Sequence, residues 1–367
     1  MNRVIIFFAA ILVSLTAFGQ TNSPNLSKMK TIRSNSDTVA IRDGDVLYEK
    51  AWTIVPATKP DIYTTQSKRV TFITDLDSIT FNIESNKTYN FVILVGKDSA
   101  WTQIKSIPSY LETLQQAGSY EKSDTVGLPH FYYETPKNAR LQDIKTYFKL
   151  DSIAGNGDEI SKVLNIMYWI HNNIKHDGSN FALAEFDAID LYNYHKATGK
   201  GINCRHLAIS LNEMYLSMGW KSRYVTCLPK DEKDQDCHVI NCVWVDSLQK
   251  WIWIDPTFAA YVKDEHGNFL SINEVRERLI DGRPLELNED ANWNNQSKQT
   301  KEEYLMNYMA KNLYWLQVPV NSQFNPESRY RNNVNKYVSL LPIGYTRSNM
   351  ENMGTITHDP EYFWQKP

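Results

Sequence analysis

The pattern of apolar and polar residues predicts a β-rich segment followed by a mixed one. Between residues 45 and 108, short runs of β-branched and aromatic residues alternate with clusters of Asp, Asn, Gly, Pro and Lys. The runs are Val46–Tyr48, Ala51–Val55, Arg69–Ile73, Ser78–Ile83 and Tyr89–Leu94. Runs bounded in this way are typical of strands. The segment is therefore predicted to be a small antiparallel β domain. The domain has no cluster of reactive side chains. A role in packing against the catalytic domain is therefore favoured over a role in substrate or partner recruitment.

Helical spacing becomes prominent after residue 109. One side of Glu159–Lys175 is apolar, as expected for an amphipathic helix. A second helix is predicted after Cys204, because apolar residues recur at helical spacing, at Leu207, Leu211, Met214 and Met218. Asn203 is the expected N-cap and Gly219 the expected C-terminal stop. Cys204 therefore lies in the first turn of a helix of about four turns.

Three strands are predicted next, at Lys221–Leu228, Cys237–Val245 and Trp251–Ile254. Side chains alternate along a strand, so a hairpin with an even-numbered loop brings one odd- and one even-numbered residue to the same face. His238, near the start of the second strand, and Asp255, just past the end of the third, satisfy this condition. The carboxylate of Asp255 is therefore expected to reach the imidazole of His238.

These residues together predict a catalytic triad of Cys204, His238 and Asp255. The positive end of the helix dipole favours the thiolate form of a cysteine in the first turn. A histidine can activate the thiol, and a carboxylate can orient the histidine and stabilise the imidazolium. A second oxyanion donor, beside the Cys204 N–H, is expected from the region upstream of Cys204. In that region, His176 is expected to have a core or capping role.

The same segments resemble the transglutaminase-like superfamily, which has a papain-like fold. The resemblance covers roughly Ser161 to Thr257. The matching residues are Gly201-Ile-Asn-Cys204, Ala208, Gly219-Trp220, Arg223-Tyr-Val225, His238 and Trp251-Ile-Trp-Ile-Asp255-Pro-Thr257. One departure is Val239-Ile240, where many members have Ala-Trp. The resemblance implies an α+β fold in which a helix bearing the cysteine packs on an antiparallel sheet bearing the histidine and the aspartate.

The family includes enzymes with different reactions, so the reaction stays open. The leading hypothesis is a thiol-dependent hydrolase of amide bonds in peptides, proteins or glycopeptides. Water as acyl acceptor gives a peptidase or amidase, whereas an amine acceptor gives a cross-linking transglutaminase. A binding or scaffold protein that has retained the fold is the alternative from another class. The presence of all three triad residues favours an enzyme.

Composition excludes several other classes. Of 367 residues, 42% are hydrophobic and 22% charged, with a net charge of −3, so neither nucleic acid nor an electrostatic membrane partner is indicated. Four cysteines are present, and with Cys204 as the nucleophile three are left, so no structural disulfide is expected. Adjacent strand residues such as Cys237 and His238 point in opposite directions, which disfavours zinc. Neither a metal nor a cofactor is predicted.

The amino terminus has the pattern of a signal peptide over residues 1–19. Asn2-Arg3 precedes the apolar run Val4–Leu15, and Ala17-Phe-Gly19 provides small residues for cleavage. The protein is therefore expected to be exported, to the periplasm or the extracellular space, without a stable membrane span in the mature chain. The expected organisation continues with a flexible lead-in (20–44), the β domain (45–108), the catalytic domain (109–345) and an extended C-terminal tail (346–367).

The signal peptide generates the first testable prediction. N-terminal sequencing of natively expressed protein should begin near Gln20, because cleavage follows the small-residue pattern. A cytoplasmic protein that begins at Met1 would contradict both the cleavage and the compartment.

Overall fold

The computed structural model describes residues 29–55, 59–122, 127–328 and 336–367. The expected signal peptide, 1–19, and the first part of the lead-in lie outside the described residues. The chain divides into two compact units, the first ending at Ile107 and the second beginning at Pro108. Within the described ranges, no helix combines the length and the apolar character needed to cross a membrane.

The first unit consists of two four-stranded sheets around an apolar core. Its strands are β1 (Lys30–Ser34), β2 (Thr38–Asp43), β3 (Val46–Thr53), β4 (Asp61–Thr65), β5 (Arg69–Ile73), β6 (Ser78–Asn82), β7 (Thr88–Val95) and β8 (Asp98–Ser106). The sheet orders are β1-β7-β8-β4 and β3-β2-β5-β6. An antiparallel domain was predicted, but the pairs β1–β7 and β4–β8 are parallel. Ile41, Phe72, Phe91 and Ile104 are fully buried in the core.

Two strands lie where a flexible lead-in was expected over residues 20–44. Strand β1 pairs with β7, and β2 pairs with β3 and β5, so the prediction is wrong for residues 30–43. The reason is that β1 has a single large apolar residue, Ile32, which is buried. Its pairing partner comes about sixty residues later in the chain, and a local pattern carries no information about such a partner.

The second unit is α+β, as predicted. Its helices are α1 (Tyr110–Gln115), α2 (Ala139–Phe148), α3 (Leu150–Ala154), α4 (Glu159–Asn173), α5 (Ala188–Thr198), α6 (Cys204–Ser217), α7 (Ile272–Asp281), α8 (Ala310–Asn312) and α9 (Pro360–Phe363), with a π-helix at Glu302–Met309. Its strands are β9 (Tyr132–Tyr133), β10 (Ser222–Leu228), β11 (His238–Val245), β12 (Lys250–Ile254), β13 (Val262–Lys263), β14 (Glu286–Leu287), β15 (Asn292–Trp293), β16 (Ser297–Lys298), β17 (Trp315–Pro319), β18 (Asn321–Ser322), β19 (Tyr337–Leu340) and β20 (Thr355–Thr357).

The main sheet of this unit has six strands in the order β12-β11-β10-β17-β19-β20. The pairs from β12 to β19 are antiparallel, and β20 is parallel to β19. Helix α6 packs against β10 and β11 and is buried from His206 to Ser217. The cysteine-bearing helix therefore lies on the sheet that carries His238, as the resemblance implied.

Both ends of α6 have the expected caps. The side chain of Asn203 accepts a hydrogen bond from the His206 N–H at 3.0 Å. At the other end, Gly219 has a positive φ of 93°. The N–H of Trp220 donates to the carbonyl of Tyr215, and the N–H of Gly219 to that of Leu216. This pair of bonds is the Schellman motif, which ends the helix and directs the chain into β10.

The C-terminal segment is part of the fold and not the extended tail expected for residues 346–367. Strand β20 adds the sixth strand to the sheet, and α9 follows it. The carbonyl of Phe363 accepts a hydrogen bond of 3.0 Å from the buried guanidinium of Arg223, which also stacks on the rings of Phe131 and Trp251. Arg223 and Phe363 are 140 residues apart, so the local sequence did not indicate this contact.

Replacement of Phe363 tests the role of the C-terminal segment. Phe363→Ala should lower the free energy of unfolding by about 3–5 kcal/mol, because it removes a fully buried ring. Phe181→Ala is the matched control, since the Phe181 side chain is 58% exposed. Urea denaturation of both variants measures the effect. Equal unfolding midpoints for the two variants would contradict a structural role for this segment.

Candidate active site

The structure brings His238 and Asp255 together on one face of the β11–β12 hairpin. Asn241 pairs with Ile254, so Asp255, one residue further, is level with Ile240 and shares the face of His238. The Nε2 atom of His238 lies 2.7 Å from Oδ2 of Asp255. Both side chains are buried. The hairpin register thus joins two residues that are 17 positions apart.

Asp255 is held by two further hydrogen bonds. The Thr257 N–H donates to Oδ1 at 2.8 Å, and the Tyr304 hydroxyl donates to Oδ2 at 2.6 Å. Burial raises the pKa of the Asp255 carboxyl, but the charge on His238 and the hydrogen bonds from His238 and Tyr304 outweigh burial, so the net shift is downward. Asp255 is therefore ionised, and its orientation is fixed from both sides.

Cys204 is the first residue of α6, and its side chain is half-buried. Two histidines, His176 and His238, act on the thiol, and both lower its pKa. Because Nε2 of His238 is bonded to Asp255, Nδ1 is the ring nitrogen that faces the thiol. Among the described residues, Nδ1 has no hydrogen-bond partner, so it is available to a reacting group. The three predicted site residues are thus adjacent in the order Cys204, His238, Asp255.

The electrostatics of this arrangement favour a thiolate and an imidazolium. Burial raises the pKa of Cys204, but the hydrogen bonds from His176 and His238 and the charge on His238 outweigh burial and lower the pKa to about 6. Burial lowers the pKa of His238, but the Asp255 carboxylate and the thiolate raise it to about 10. Each charge stabilises the other. The dipole of α6 also favours the negative charge on sulfur.

Aromatic side chains enclose the imidazole of His238. The rings of Tyr308 and Phe258 lie with their centroids 5.2 and 5.6 Å from it. Tyr304 and Tyr308 both come from the π-helix, a rare conformation that is frequent at functional sites. The indole N–H of Trp253 donates to the Tyr304 hydroxyl at 3.2 Å. The sequence pattern of the π-helical segment did not indicate that its tyrosines face the site.

Two histidines of the α4 region also contribute to the site. His176, expected to have a core or capping role, also lowers the pKa of the Cys204 thiol. His171 is buried, and its ring nitrogens lie 3.1 Å from the Pro256 carbonyl and 3.0 Å from Oδ1 of Asn292. His171 therefore supports the turn that follows Asp255. The one available signal was their position upstream of Cys204, where a second oxyanion donor was expected.

The other three cysteines lie on β10, β11 or just before β11. Cys227 and Cys242 are buried, Cys237 is half-buried, and all are free thiols, as is Cys204. Burial is the leading cause that raises the pKa of each of these three thiols. Cys204 alone among the four has a pKa shifted towards the thiolate form.

A family model matches the part of the chain that contains the candidate active site. The family model described as the transglutaminase-like superfamily matches residues 148–256. A solved structure from Cytophaga hutchinsonii, titled as a "putative cysteine protease", is 16% identical over 59% of this chain and 62% of that chain, with a TM-score of 0.25. The chain thus spans less than two thirds of that protein, and the similarity is too weak to support an argument about substrate. No curated protein matches.

The depressed pKa of Cys204 is tested by alkylation at different pH values. The thiolate is the reactive form, so the iodoacetamide rate of Cys204 should stay high above pH 7 and fall as the pH decreases through about 6. In His238→Ala, the midpoint should move up towards that of an ordinary thiol, because the stabilising charge is lost.

Cys237 provides the internal control, because its pKa is raised by burial. Mass spectrometry of the labelled peptides distinguishes the two thiols. A wild-type midpoint for Cys204 equal to that of Cys237 would refute the ion pair.

Proposed function

We propose that the protein is a thiol-dependent acyl-transfer enzyme that hydrolyses amide bonds outside the cytoplasm. The match of residues 148–256 to the transglutaminase-like superfamily supports this proposal. The substrates are proteins, peptides or glycopeptides. Cys204 is the nucleophile, His238 the general base and acid, and Asp255 the group that orients His238. No metal or cofactor is required for this chemistry.

The proposal rests on one observation. The imidazole of His238 is hydrogen-bonded to the Asp255 carboxylate through Nε2, and its opposite nitrogen faces the Cys204 thiol at the start of α6. This is the nucleophile–base–orienting group arrangement of covalent acyl transfer. Neither a buried core cysteine nor a hydrogen-bonded strand histidine would need the other two groups.

The reaction has two halves. In the first, the Cys204 thiolate attacks the carbonyl carbon, and the C–N bond breaks as the His238 imidazolium gives its proton to the leaving amine. In the second, His238 takes a proton from water, the hydroxide attacks the thioester, and the C–S bond breaks to return the thiolate. Asp255 stays ionised throughout and holds the Nε2–H of His238, so the same nitrogen, Nδ1, faces the reacting atoms.

Hydrolysis is proposed over cross-linking because water needs no dedicated acceptor site. A primary amine could replace water in the second half of the reaction and would give a transamidated product. The two outcomes are separated by mass spectrometry of products formed in the presence of an excess of a primary amine. Free acid as the dominant product supports hydrolysis, and a dominant amide product overturns it in favour of a transglutaminase.

Four substitutions at three residues test the proposed roles. Cys204→Ala should abolish turnover of any substrate found in a library of proteins, peptides and glycopeptides, because it removes the nucleophile. Cys204→Ser should fall nearly as low, because a hydroxyl ionises far less readily than this thiol. His238→Ala should also be near the minimum. Asp255→Asn should lie between these variants and wild type.

The intermediate rank of Asp255→Asn has a physical reason. Loss of the orienting carboxylate costs about 10⁴-fold in serine enzymes, but a preformed thiolate depends less on the third group. Cys242→Ala is the matched control, because it removes a second thiol, on β11, whose pKa is raised. Wild-type turnover in Cys204→Ala would refute the nucleophile, and no turnover by wild type together with an inert Cys204 would favour the scaffold alternative.

A further inference from the structure

Cys204 lies between two imidazoles, and only one of them is bonded to a carboxylate. His238 has Asp255 on its far side, which suits a group that carries positive charge. His176 has an indole N–H on its far side, because Nε1 of Trp293 donates to Nδ1 of His176 at 2.9 Å. Both rings lower the pKa of the same thiol, but they have different hydrogen-bond partners on their far sides, so they are suited to different catalytic roles.

The bond from Trp293 fixes the tautomer of His176. An indole nitrogen can only donate a hydrogen bond, so Nδ1 must accept with its lone pair. A neutral ring with an unprotonated Nδ1 carries its proton on Nε2. The nitrogen of His176 left for the thiol is therefore an N–H donor. A ring in this state cannot take a proton from the thiol through Nε2, which leaves His238 as the base.

The backbone around His176 is fixed beside the start of α6. The His176 N–H donates to Oδ1 of Asn294 at 2.7 Å, and the Asn294 side-chain amide donates to the His176 carbonyl at 2.9 Å. His176 also forms a parallel bridge with Ile202, two residues before Cys204. Trp293 and Asn294 are adjacent in sequence, so one short segment holds both the ring and the backbone of His176.

Gly201 makes this close approach possible. A Cβ at Gly201 would lie 2.7 Å from Cβ of Asp177 and 2.9 Å from the carbonyl carbon of His176. Contacts this short do not occur for a real side chain, so any other residue would push the 176–177 segment away from Cys204. The glycine at position 201 therefore allows the backbone of His176 and Asp177 to lie beside the start of α6.

We propose that the Nε2–H of His176 is the second donor of the oxyanion hole, beside the backbone N–H of Cys204. This inference rests on the proposed function and names the second oxyanion donor, which the proposed function leaves unassigned. A donor that lies beside the thiol is also near the oxygen of a carbonyl carbon that has become bonded to the sulfur. The Cys204 N–H is at the first position of α6, where backbone N–H groups have no intrahelical acceptor. The two donors converge on the site where the oxyanion forms.

The test compares two reactions of the same thiolate. With p-nitrophenyl acetate, a C–S bond forms through a tetrahedral oxyanion and the C–O bond to nitrophenolate breaks. With iodoacetamide, sulfur displaces iodide at a saturated carbon and no oxyanion forms. The ratio of acylation rate to alkylation rate therefore measures the oxyanion hole. Both rates are measured above the thiol titration of each variant, so that differences in thiolate content do not contribute.

His176→Phe keeps a ring but has no donor, and the ratio should fall about 10²- to 10³-fold, the usual cost of one oxyanion donor. His176→Gln restores an N–H of similar reach and should recover most of the ratio. His266→Phe is the matched control, because His266 is an exposed histidine, and its ratio should equal that of wild type. An unchanged ratio in His176→Phe, or a parallel fall of both rates, would overturn the assignment.

Trp293→Phe tests the tautomer and leaves the histidine in place. Without the indole N–H, the ring proton is shared between Nδ1 and Nε2, so the ratio should fall, but less than in His176→Phe. If His176→Phe does not fold, this variant decides, and an unchanged ratio overturns the proposal. A wild-type Cys204 that is inert to both reagents would instead contradict the proposed function, so the two failures are distinguishable.

Discussion

The buried pair of His238 and Asp255 is the interaction on which the rest of the site depends. A charge removed from water costs several kcal/mol unless it is paired and hydrogen-bonded. Here the carboxylate receives three donors, from His238, Tyr304 and the Thr257 N–H. The imidazole, in turn, has the carboxylate on one side and the thiol of Cys204 on the other. The two side chains obtain all these partners only when the β11–β12 hairpin, the π-helix and α6 are in place together.

Aromatic side chains surround the buried pair. Phe258 and Tyr308 pack against the His238 ring, and Phe258 also contacts Tyr304 and Tyr308. Exclusion of water strengthens every electrostatic interaction within the site. The same enclosure would be costly around an unpaired charge. The aromatic walls and the completed ion pair are therefore mutually dependent parts of one arrangement.

The two histidines at the thiol show how the partner behind a ring determines its chemistry. A carboxylate behind His238 raises the pKa of its ring and prepares it to exchange a proton. An indole N–H behind His176 occupies Nδ1 and keeps a proton on Nε2. Residues of the same type, in contact with one sulfur, can thus serve as base and as donor without competition.

The sequence alone determined the core of the candidate site, because that core depends on local rules. Helical spacing and an Asn cap located Cys204 at the start of α6, and strand alternation brought His238 and Asp255 to one face. Tertiary structure decided the rest. His176 meets Trp293 across 117 residues, and Tyr304 reaches Asp255 across 49. Strand β1 joins its sheet through β7, about sixty residues later, and the segment after residue 346 contacts Arg223 through Phe363 across 140 residues. Periodicity reports which face of an element is buried, but contacts between distant segments depend on how the whole chain packs.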